Sequence, residues 1–293
     1  MKTNLKNKII IIIIITGSNS GLGLESAKKF AGLGNTVILA CRNIEYGKKA
    51  KRIVGENSLF IPLDVSSMES IDKFARKFMT KFSKLDILIN NAGVMLHPPK
   101  KTEDGTEITF ATNYLGYFFL SLKLIPKLIC SPNSRIINVS SIASYRTEKI
   151  NWDYFDPIKK ISSLKEKREI YEHTNLFRLM FSIELQERLI KKNIPVKSIA
   201  CHPGVAKSKL GRHFFLAKLI YALPVMSSTR EGVKSIIYSC INSNLSGGEF
   251  VGLNTKNQHK GDPIIVDPNP LAEIKTLRQK LWKMTVEKYG IDL

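Results

Sequence analysis

The chain has 293 residues, 43% of them hydrophobic, and a formal net charge of +20 at pH 7. The length and hydrophobic fraction suit a folded protein of one large domain or two small ones, and four widely spaced cysteines without a paired-cysteine metal motif indicate reduced thiols, a cytoplasmic location and no metal site. The positive charge is spread along the chain as lysine pairs, with no nucleic-acid-binding motif, so we interpret it as a solvated surface and do not expect nucleic acid as a partner.

The first predicted element is a strand made of the isoleucine run at 9–15. The run is far shorter than the ~20 apolar residues that a membrane-spanning helix needs. β-branched side chains favour the extended backbone, and a glycine-rich turn follows immediately. The run therefore predicts a strand buried on both faces, as in a parallel sheet.

Strands and helices then alternate along the chain. We predict further strands at 36–41, 58–63, 85–90, 134–140, 196–201 and 249–251, and helices at 22–33, 45–54, 68–82, 107–128, 170–192, 229–242 and 271–289. This alternation predicts an α/β fold: a single domain, residues 1–293, with one doubly wound, Rossmann-type parallel sheet and helices on both faces. We assign 8–208 to a cofactor and catalytic core, and 209–293 to a substrate lid and C-terminal extension.

The turn after the first predicted strand reads TGSNSGLG, residues 16–23. Gly17, Gly21 and Gly23 allow a tight turn and a close approach of the backbone to a pyrophosphate, whose charge the free amides of the next helix can meet. A glycine pattern alone is a weak signal, but this one follows a buried strand and opens a helix. It therefore predicts a dinucleotide-binding site.

The second predicted strand ends in the segment ACRN, which bears on the choice of dinucleotide. An acidic side chain there would bind a free ribose 2′-hydroxyl, whereas this chain has Cys41 followed by Arg42. A guanidinium group suits a 2′-phosphate. The segment favours NADP(H) over NAD(H), with an ordinary surface arginine as the alternative.

These motifs resemble those of the short-chain dehydrogenase/reductase family over about residues 8–208. The sequences of the segments CRN, TNYLG, NVSS and HPGV are similar to those of the retinol-dehydrogenase and protochlorophyllide-reductase-like branch. The resemblance implies that a nicotinamide cofactor is bound by the glycine turn, the pair beside the adenine, the NNAG segment and the HPGV segment with the serine that follows it. The implied cofactor-binding residues are Gly17, Ser18, Asn19, Ser20, Gly21, Leu22, Gly23, Arg42, Asp64, Val65, Asn91, Ala92, Gly93, Pro203, Gly204, Val205 and Ser208.

The resemblance also implies a catalytic group. Ser141, the second serine of NVSS, matches the residue that hydrogen-bonds the substrate oxygen, and Tyr171 matches the acid that protonates it. Asn113, in TNYLG, matches an asparagine that holds a water in a proton relay. His202, in HPGV, is interpreted as a structural histidine.

Asn175 departs from the family pattern, which is Tyr-x-x-x-Lys. By resemblance the lysine grips the nicotinamide ribose, and its charge favours the ionised tyrosine; an amide can bond ribose hydroxyls but carries no charge. Oxidation of an alcohol needs Tyr171 as the phenolate, whereas reduction of a carbonyl needs the phenol. The neutral Asn175 therefore predicts that surviving activity is NADPH-driven reduction.

An apolar segment, HFFLAKLIYALPVM at 213–226, follows the cofactor segments. It could enclose an apolar substrate as a lid, lie on an anionic membrane as an amphipathic helix, or form a core or dimer helix. The expected partners are a small apolar carbonyl or alcohol substrate and a second copy of the chain, paired through the long helices at 107–128 and 170–192. A peripheral contact with a membrane is also expected.

The sequence predicts an NADP(H)-dependent oxidoreductase that reduces an apolar aldehyde or ketone by hydride transfer. The alternative is a pseudoenzyme that binds NADP for sensing or scaffolding, because the charge expected at position 175 is absent. The complete cofactor motifs and the retained Ser141, Tyr171 and Asn113 favour the enzyme.

Overall fold

The computed structural model describes residues 11–156, 161–206 and 227–293. The strands are β1 (Ile12–Thr16), β2 (Thr36–Cys41), β3 (Ser58–Pro62), β4 (Ile87–Asn90), β5 (Arg135–Val139), β6 (Lys197–Cys201), β7 (Phe250–Leu253) and β8 (Pro263–Ile265). The helices are α1 (Gly21–Gly32), α2 (Ile44–Val54), α3 (Met68–Lys81), α4 (Ile108–Leu128), α5 (Leu164–Lys191), α6 (Thr229–Ile241), α7 (Pro270–Glu273) and α8 (Lys275–Tyr289).

All eight of these strands form one sheet in the order β3-β2-β1-β4-β5-β6-β7-β8. Strands β1 to β7 are parallel, and β8 runs antiparallel to β7. The chain winds outward from β1 to β3 and then returns to β4 on the other side of β1. The predicted α/β fold is confirmed, and its winding reverses between β1 and β4, where such sheets bind ligands.

Strand β1 is buried from Ile13 to Thr16, as its isoleucine run predicts, and Ile12 is partly buried. Ile13, Ile14 and Ile15 are each 0% exposed. Ile13 and Ile15 belong to the core on the side of α1 and α6, while Ile14 belongs to the larger core on the side of α3, α4 and α5. Residues 9 and 10, which were predicted to begin the strand, lie outside the described residues.

Helix α5 begins at Leu164, earlier than the predicted start at 170. Ser163 caps it, and a reciprocal capping box joins Ser163 to Glu166. The prediction missed this turn because 164–169 has little apolar periodicity. The three-residue edge strand β8 was also not predicted.

The C-terminal helix α8 covers the two long helices α4 and α5. Trp282 packs against Phe118 and Phe181, with ring centroids 4.8 and 6.1 Å away, and Tyr289 packs against Phe119 at 5.4 Å. Helix α4 is long and apolar enough to cross a membrane, but 94% of its apolar window is buried inside the protein. A buried core helix passes the same test, and the packing shows that α4 is one.

Candidate active site

A cleft of 790 Å³ opens at the carboxyl ends of the central strands. Its walls come from the turns that follow the strands β1 to β6, and from residues of α2, α4 and α5. The volume lies in the range of about 300–1,000 Å³ that is usual for ligand pockets. The cleft therefore lies where the winding of the sheet reverses, as expected for this type of fold.

Most of the predicted site residues line this cleft. They are Gly17, Asn19, Ser20, Gly21, Leu22, Arg42, Asp64, Val65, Asn91, Ala92, Gly93, Ser141, Tyr171, Pro203 and Gly204. Five others do not line it: Ser18, Gly23, Val205, Asn113 and Asn175. Ser208 and the predicted lid at 213–226 lie outside the described residues. The lining residues that sequence reasoning did not single out include Tyr46, Lys49, Val94, His97, Thr112, Ser140 and Arg178.

The glycine turn between β1 and α1 depends on the absence of side chains. Gly17 and Gly21 have φ of +65° and +56°, in the left-handed region that favours glycine. A Cβ atom on Gly23 would lie 2.6 Å from both Asn91 Nδ2 and the Gly17 carbonyl oxygen. This open turn before a helix N-terminus fits the pyrophosphate of a nicotinamide dinucleotide.

Hydrogen bonds fix the turn to the neighbouring strand end. Thr16 Oγ1 accepts from the backbone amides of Asn91 and Ala92 at 2.8 and 2.9 Å, and Asn91 Nδ2 donates to the Thr16 carbonyl at 2.8 Å. The ends of β1 and β4 are thus held together under the cleft. This fixes the glycine turn relative to the opposite end of the cleft, which contains Ser141 and Tyr171 and is called the chemical end below.

The end of the cleft beside β2 is positively charged. Arg42 Nη1 lies 3.6 Å from Asp64 Oδ2, and its side chain is 57% exposed, so this pair is weak and the guanidinium remains available. Lys49 of α2 lines the same region. Burial raises the pKa of the Cys41 thiol to about 11, so this side chain is neutral at pH 7.

Two serines follow β5, and their surroundings differ. Ser140 is 4% exposed, and its hydroxyl donates to the carbonyl oxygen of Asn175 at 2.8 Å. Ser141 is more exposed and lines the cleft; its Oγ accepts from the amide of Ala143 at 3.2 Å, which leaves the hydroxyl proton for another acceptor. Tyr171 of α5 is 6% exposed and lines the same cleft.

Asn113 lies in a turn of π-helix, Ala111–Leu115, within α4 and is fully buried. Its Oδ1 accepts from the amide of Val94 at 2.9 Å, and its Nδ2 donates to the Val94 carbonyl at 3.0 Å and to Thr174 Oγ1 at 3.1 Å. The side chain therefore ties the loop after β4 to α5.

Asn175 is also fully buried. Its Nδ2 donates to the carbonyl oxygen of Tyr171 at 2.8 Å, and its Oδ1 accepts from Arg178 Nη1 at 3.1 Å. Arg178, rather than Asn175, lines the cleft at this level. A signal was present in the sequence, because Arg178 lies seven residues after Tyr171, which is about two helical turns and the same face.

Tyr145 and Lys149 also have the family's Tyr-x-x-x-Lys spacing, and the structure separates them from the site. Tyr145 lies in a short 3₁₀ turn, Ile142–Arg146, and its hydroxyl donates to the carbonyl oxygen of Asp267 at 2.6 Å. Burial raises the pKa of Tyr145. Neither residue lines the cleft.

His202 supports the turn that carries Gly204. Its Nδ1 accepts from the amide of Gly204 at 3.1 Å, and its Nε2 lies 2.6 Å from Gln258 Oε1. Burial lowers the pKa of His202 to about 4, so the ring is neutral at pH 7. Within 11–156, 161–206 and 227–293, no group of three or more His, Cys, Asp and Glu residues could hold a metal ion.

The comparisons with known proteins agree with this fold. The sequence model of the family described as short chain dehydrogenase matches residues 11–154. Retinol dehydrogenase 12 of Homo sapiens is 33% identical, and the match covers 96% of this chain and 86% of that protein. Retinol dehydrogenase 13 of Mus musculus is 34% identical over 96% of this chain and 84% of that protein.

A solved structure agrees over nearly the whole chain. The crystal structure of an uncharacterized protein from Mycobacterium Paratuberculosis has a TM-score of 0.79 and 30% sequence identity, and covers 96% of this chain and 94% of that chain. The resemblance drawn from the motifs, including the likeness to retinol dehydrogenases, is confirmed. The chain belongs to the short-chain dehydrogenase/reductase family.

Proposed function

We propose that this chain is an NADP(H)-dependent oxidoreductase that reduces an apolar aldehyde or ketone. The observation that carries the proposal is that one cleft contains both a glycine turn suited to a dinucleotide and the hydroxyl groups of Ser141 and Tyr171. A site that binds a nicotinamide and a carbonyl side by side needs both parts.

A bound, reduced nicotinamide would supply the hydride that adds to the carbonyl carbon. Ser141 would donate a hydrogen bond to the carbonyl oxygen, where negative charge develops. Tyr171 would transfer its hydroxyl proton to that oxygen, giving the alcohol and leaving a phenolate that regains a proton from solvent. Each group thus has one task, and the proton and the two electrons of the hydride are accounted for.

The preference for NADP(H) is supported by the charge at the end of β2. Arg42 and Lys49 line the cleft there, and Cys41 is buried and neutral. Two cations can bind a 2′-phosphate, and Arg42 can do so through two parallel hydrogen bonds. The competing acid is Asp64, whose exposed ion pair with Arg42 is weak.

An apolar substrate is supported by the chemical end of the cleft. Val94, Ile108 and Val139 contribute apolar surface there. The retinol dehydrogenases named above act, by their names, on an apolar alcohol, which suggests the corresponding aldehyde as one substrate to test. The predicted lid and its membrane contact concern 213–226, outside the described residues. The expected homo-oligomer through α4 and α5 remains a proposal; α8 packs against both helices, so such an interface would also involve α8.

The experiment is to follow NADPH and NADH consumption with retinal, a long-chain aliphatic aldehyde and an apolar ketone, together with the dissociation constants of both cofactors. We expect turnover of at least one of these with NADPH and tighter binding of NADPH than of NADH. Tight NADPH binding without turnover of any compound would favour the pseudoenzyme. Equal or tighter binding of NADH would reject the cofactor preference.

A further inference from the structure

Arg178 is the most extensively bonded side chain in the wall of the cleft, and the motifs assign it no role. Its guanidinium donates from Nε to the carbonyl oxygen of Asn113, from Nη1 to the carbonyl of Val139 and to Asn175 Oδ1, both at 3.1 Å, and from Nη2 to the carbonyl of Ala92 at 3.1 Å. One side chain therefore joins the turn after β4 and the end of β5 to α4 and α5.

This cation has no anionic partner among the described residues. Arg178 is 4% exposed and forms no ion pair there; its acceptors are three carbonyl oxygens and one amide oxygen. Its guanidinium also lies 4.4 Å from the ring centroid of Tyr117, a favourable cation–π geometry. Burying a charge without a counter-ion is costly, so this arrangement favours an oxygen with negative charge nearby.

Arg178 and Tyr171 lie seven residues apart, about two helical turns, and therefore on the same face of α5. Arg178 and Tyr171 both line the cleft, and the electrostatic environment of the buried Tyr117 hydroxyl includes both of them. Arginine has five N–H donors, and the four bonds above leave one on Nη2. A Cβ atom on Gly93 would lie 3.0 Å from Nη2, so the glycine leaves this nitrogen room at the cleft wall.

Asn175 couples this cation to the turn of helix that carries Tyr171. Its amide accepts from Arg178 Nη1 and donates to the Tyr171 carbonyl oxygen. A lysine at position 175 would place an ammonium beside the guanidinium in a buried site, where like charges repel strongly. The presence of Arg178 therefore favours a neutral residue at position 175.

We propose that Arg178 supplies the fixed positive charge of this active site, which Asn175 leaves neutral, and that it contacts the cofactor's nicotinamide half beside Ala92 and Gly93 and stabilises the phenolate formed when Tyr171 gives up its proton. The inference rests on the proposed function. The prediction that only carbonyl reduction survives assumed that a neutral Asn175 leaves the site without a cation. If Arg178 supplies that cation, alcohol oxidation is expected as well.

The test compares lysine with methionine at both positions, because these side chains have similar lengths and differ in charge. The single variants are Arg178→Lys, Arg178→Met, Asn175→Lys and Asn175→Met. Two double variants complete the set: Asn175→Lys/Arg178→Met, which moves the positive charge to position 175, and Asn175→Met/Arg178→Met, which has no charge at either position. The dissociation constant of NADPH is measured for each by fluorescence, without substrate, after circular dichroism confirms folding.

We expect Arg178→Met to bind NADPH about 10-fold or more weakly than Arg178→Lys, as for loss of a charge-assisted hydrogen bond. With Arg178 present, Asn175→Lys should bind more weakly than Asn175→Met; with Met at 178, the order should reverse. Equal affinities of the two position-178 variants, or a lysine at 175 that improves binding in both backgrounds, would overturn the proposal. If Arg178→Met does not fold, the comparison of Asn175→Lys with Asn175→Met decides.

A second measurement separates the two proposals. Relative to Arg178→Lys, Arg178→Met should lose more in the kcat of alcohol oxidation than in the kcat of carbonyl reduction, because only oxidation begins from the phenolate. Equal losses in the two kcat values would contradict the charge role. The affinities do not depend on turnover. The expected affinities with no turnover of any carbonyl would therefore reject the reductase while supporting Arg178 as the cation.

Discussion

The two ends of the cleft are built in different ways. At the cofactor end the main chain forms the site, because Gly17 and Gly21 adopt left-handed conformations and Gly23 leaves no room for a side chain. At the chemical end, side chains form the site, and Arg178 bonds to Asn175 of its own helix and to three other segments. A glycine that must lack a side chain cannot be replaced by another residue, whereas a charge can be supplied by a residue in a neighbouring helical turn. The cofactor end should therefore tolerate change poorly, and the chemical end should tolerate a relocated charge.

Removing the proton donor should have the largest effect at the chemical end. Tyr171→Phe keeps the ring and removes the hydroxyl, so we expect carbonyl reduction to fall by about 10²-fold or more. The affinity for NADPH should change less than about 3-fold, since a lost general acid affects the transition state. The matched control is Tyr238→Phe, whose hydroxyl lies outside the cleft. Full activity of Tyr171→Phe would remove this residue from the mechanism.

Acid should weaken the turn that His202 supports. The folded pKa of His202 is about 4, below the unfolded value of about 6.5, so the unfolded chain binds the proton first as the pH falls. Stability from this group is therefore complete above about pH 6.5 and declines between there and about pH 4, by about 3 kcal/mol in total. Urea unfolding at several pH values measures this loss. His202→Asn, which keeps an acceptor for the Gly204 amide, should show a smaller slope; an unchanged slope would contradict the assignment.

Filling the glycine turn should damage the cofactor end. Gly23→Ala places a Cβ atom 2.6 Å from two polar atoms, so we expect a loss of about 1–3 kcal/mol in the free energy of unfolding, and much weaker NADPH binding. Gly32→Ala is the matched control in the same helix, because its Cβ would meet nothing within 4 Å. It should be neutral or stabilising by up to about 1 kcal/mol. Equal effects of the two substitutions would mean that the close approach at Gly23 is unimportant.

The smallest expected effect concerns the cofactor's phosphate. Arg42→Ala should weaken NADPH binding about 10-fold and leave NADH binding nearly unchanged, because the guanidinium would contact the 2′-phosphate that only NADPH carries. Lys51→Ala removes a cation of α2 that does not line the cleft and serves as the control. Equal losses for both cofactors after Arg42→Ala would point to a general electrostatic effect.

The elements that could be predicted from the sequence are those whose cause is local. The isoleucine run identifies a buried strand, and the glycines after it identify the cofactor turn, because both depend on residues adjacent in the chain. The two serines that follow β5 both line the cleft, but the Ser140 hydroxyl is bonded to the Asn175 carbonyl oxygen, whereas the Ser141 hydroxyl proton is free for another acceptor. The start of α5 was missed because its signal is the cap formed by Ser163 and Glu166.

Arg178 shows why the rest was missed: its position two helical turns after Tyr171 can be read from the sequence, but its bonding partners cannot. Its acceptors Ala92, Asn113 and Val139 come from segments far apart in the chain, and only the folded sheet brings them together. The motif directs attention to position 175, and the absent lysine there suggests a site without a charge. The structure instead buries Asn175 and places a cation one helical turn later.

The most direct test of this account is NADPH consumption by the native chain beside Asn175→Lys, with retinal and other apolar carbonyl compounds. The account predicts turnover by the native chain and slower turnover by the variant, because the added ammonium would be buried beside Arg178. A silent native chain that gains activity from Asn175→Lys would contradict it. That result would mean that the site lacks a charge at position 175 and that Arg178 does not supply it.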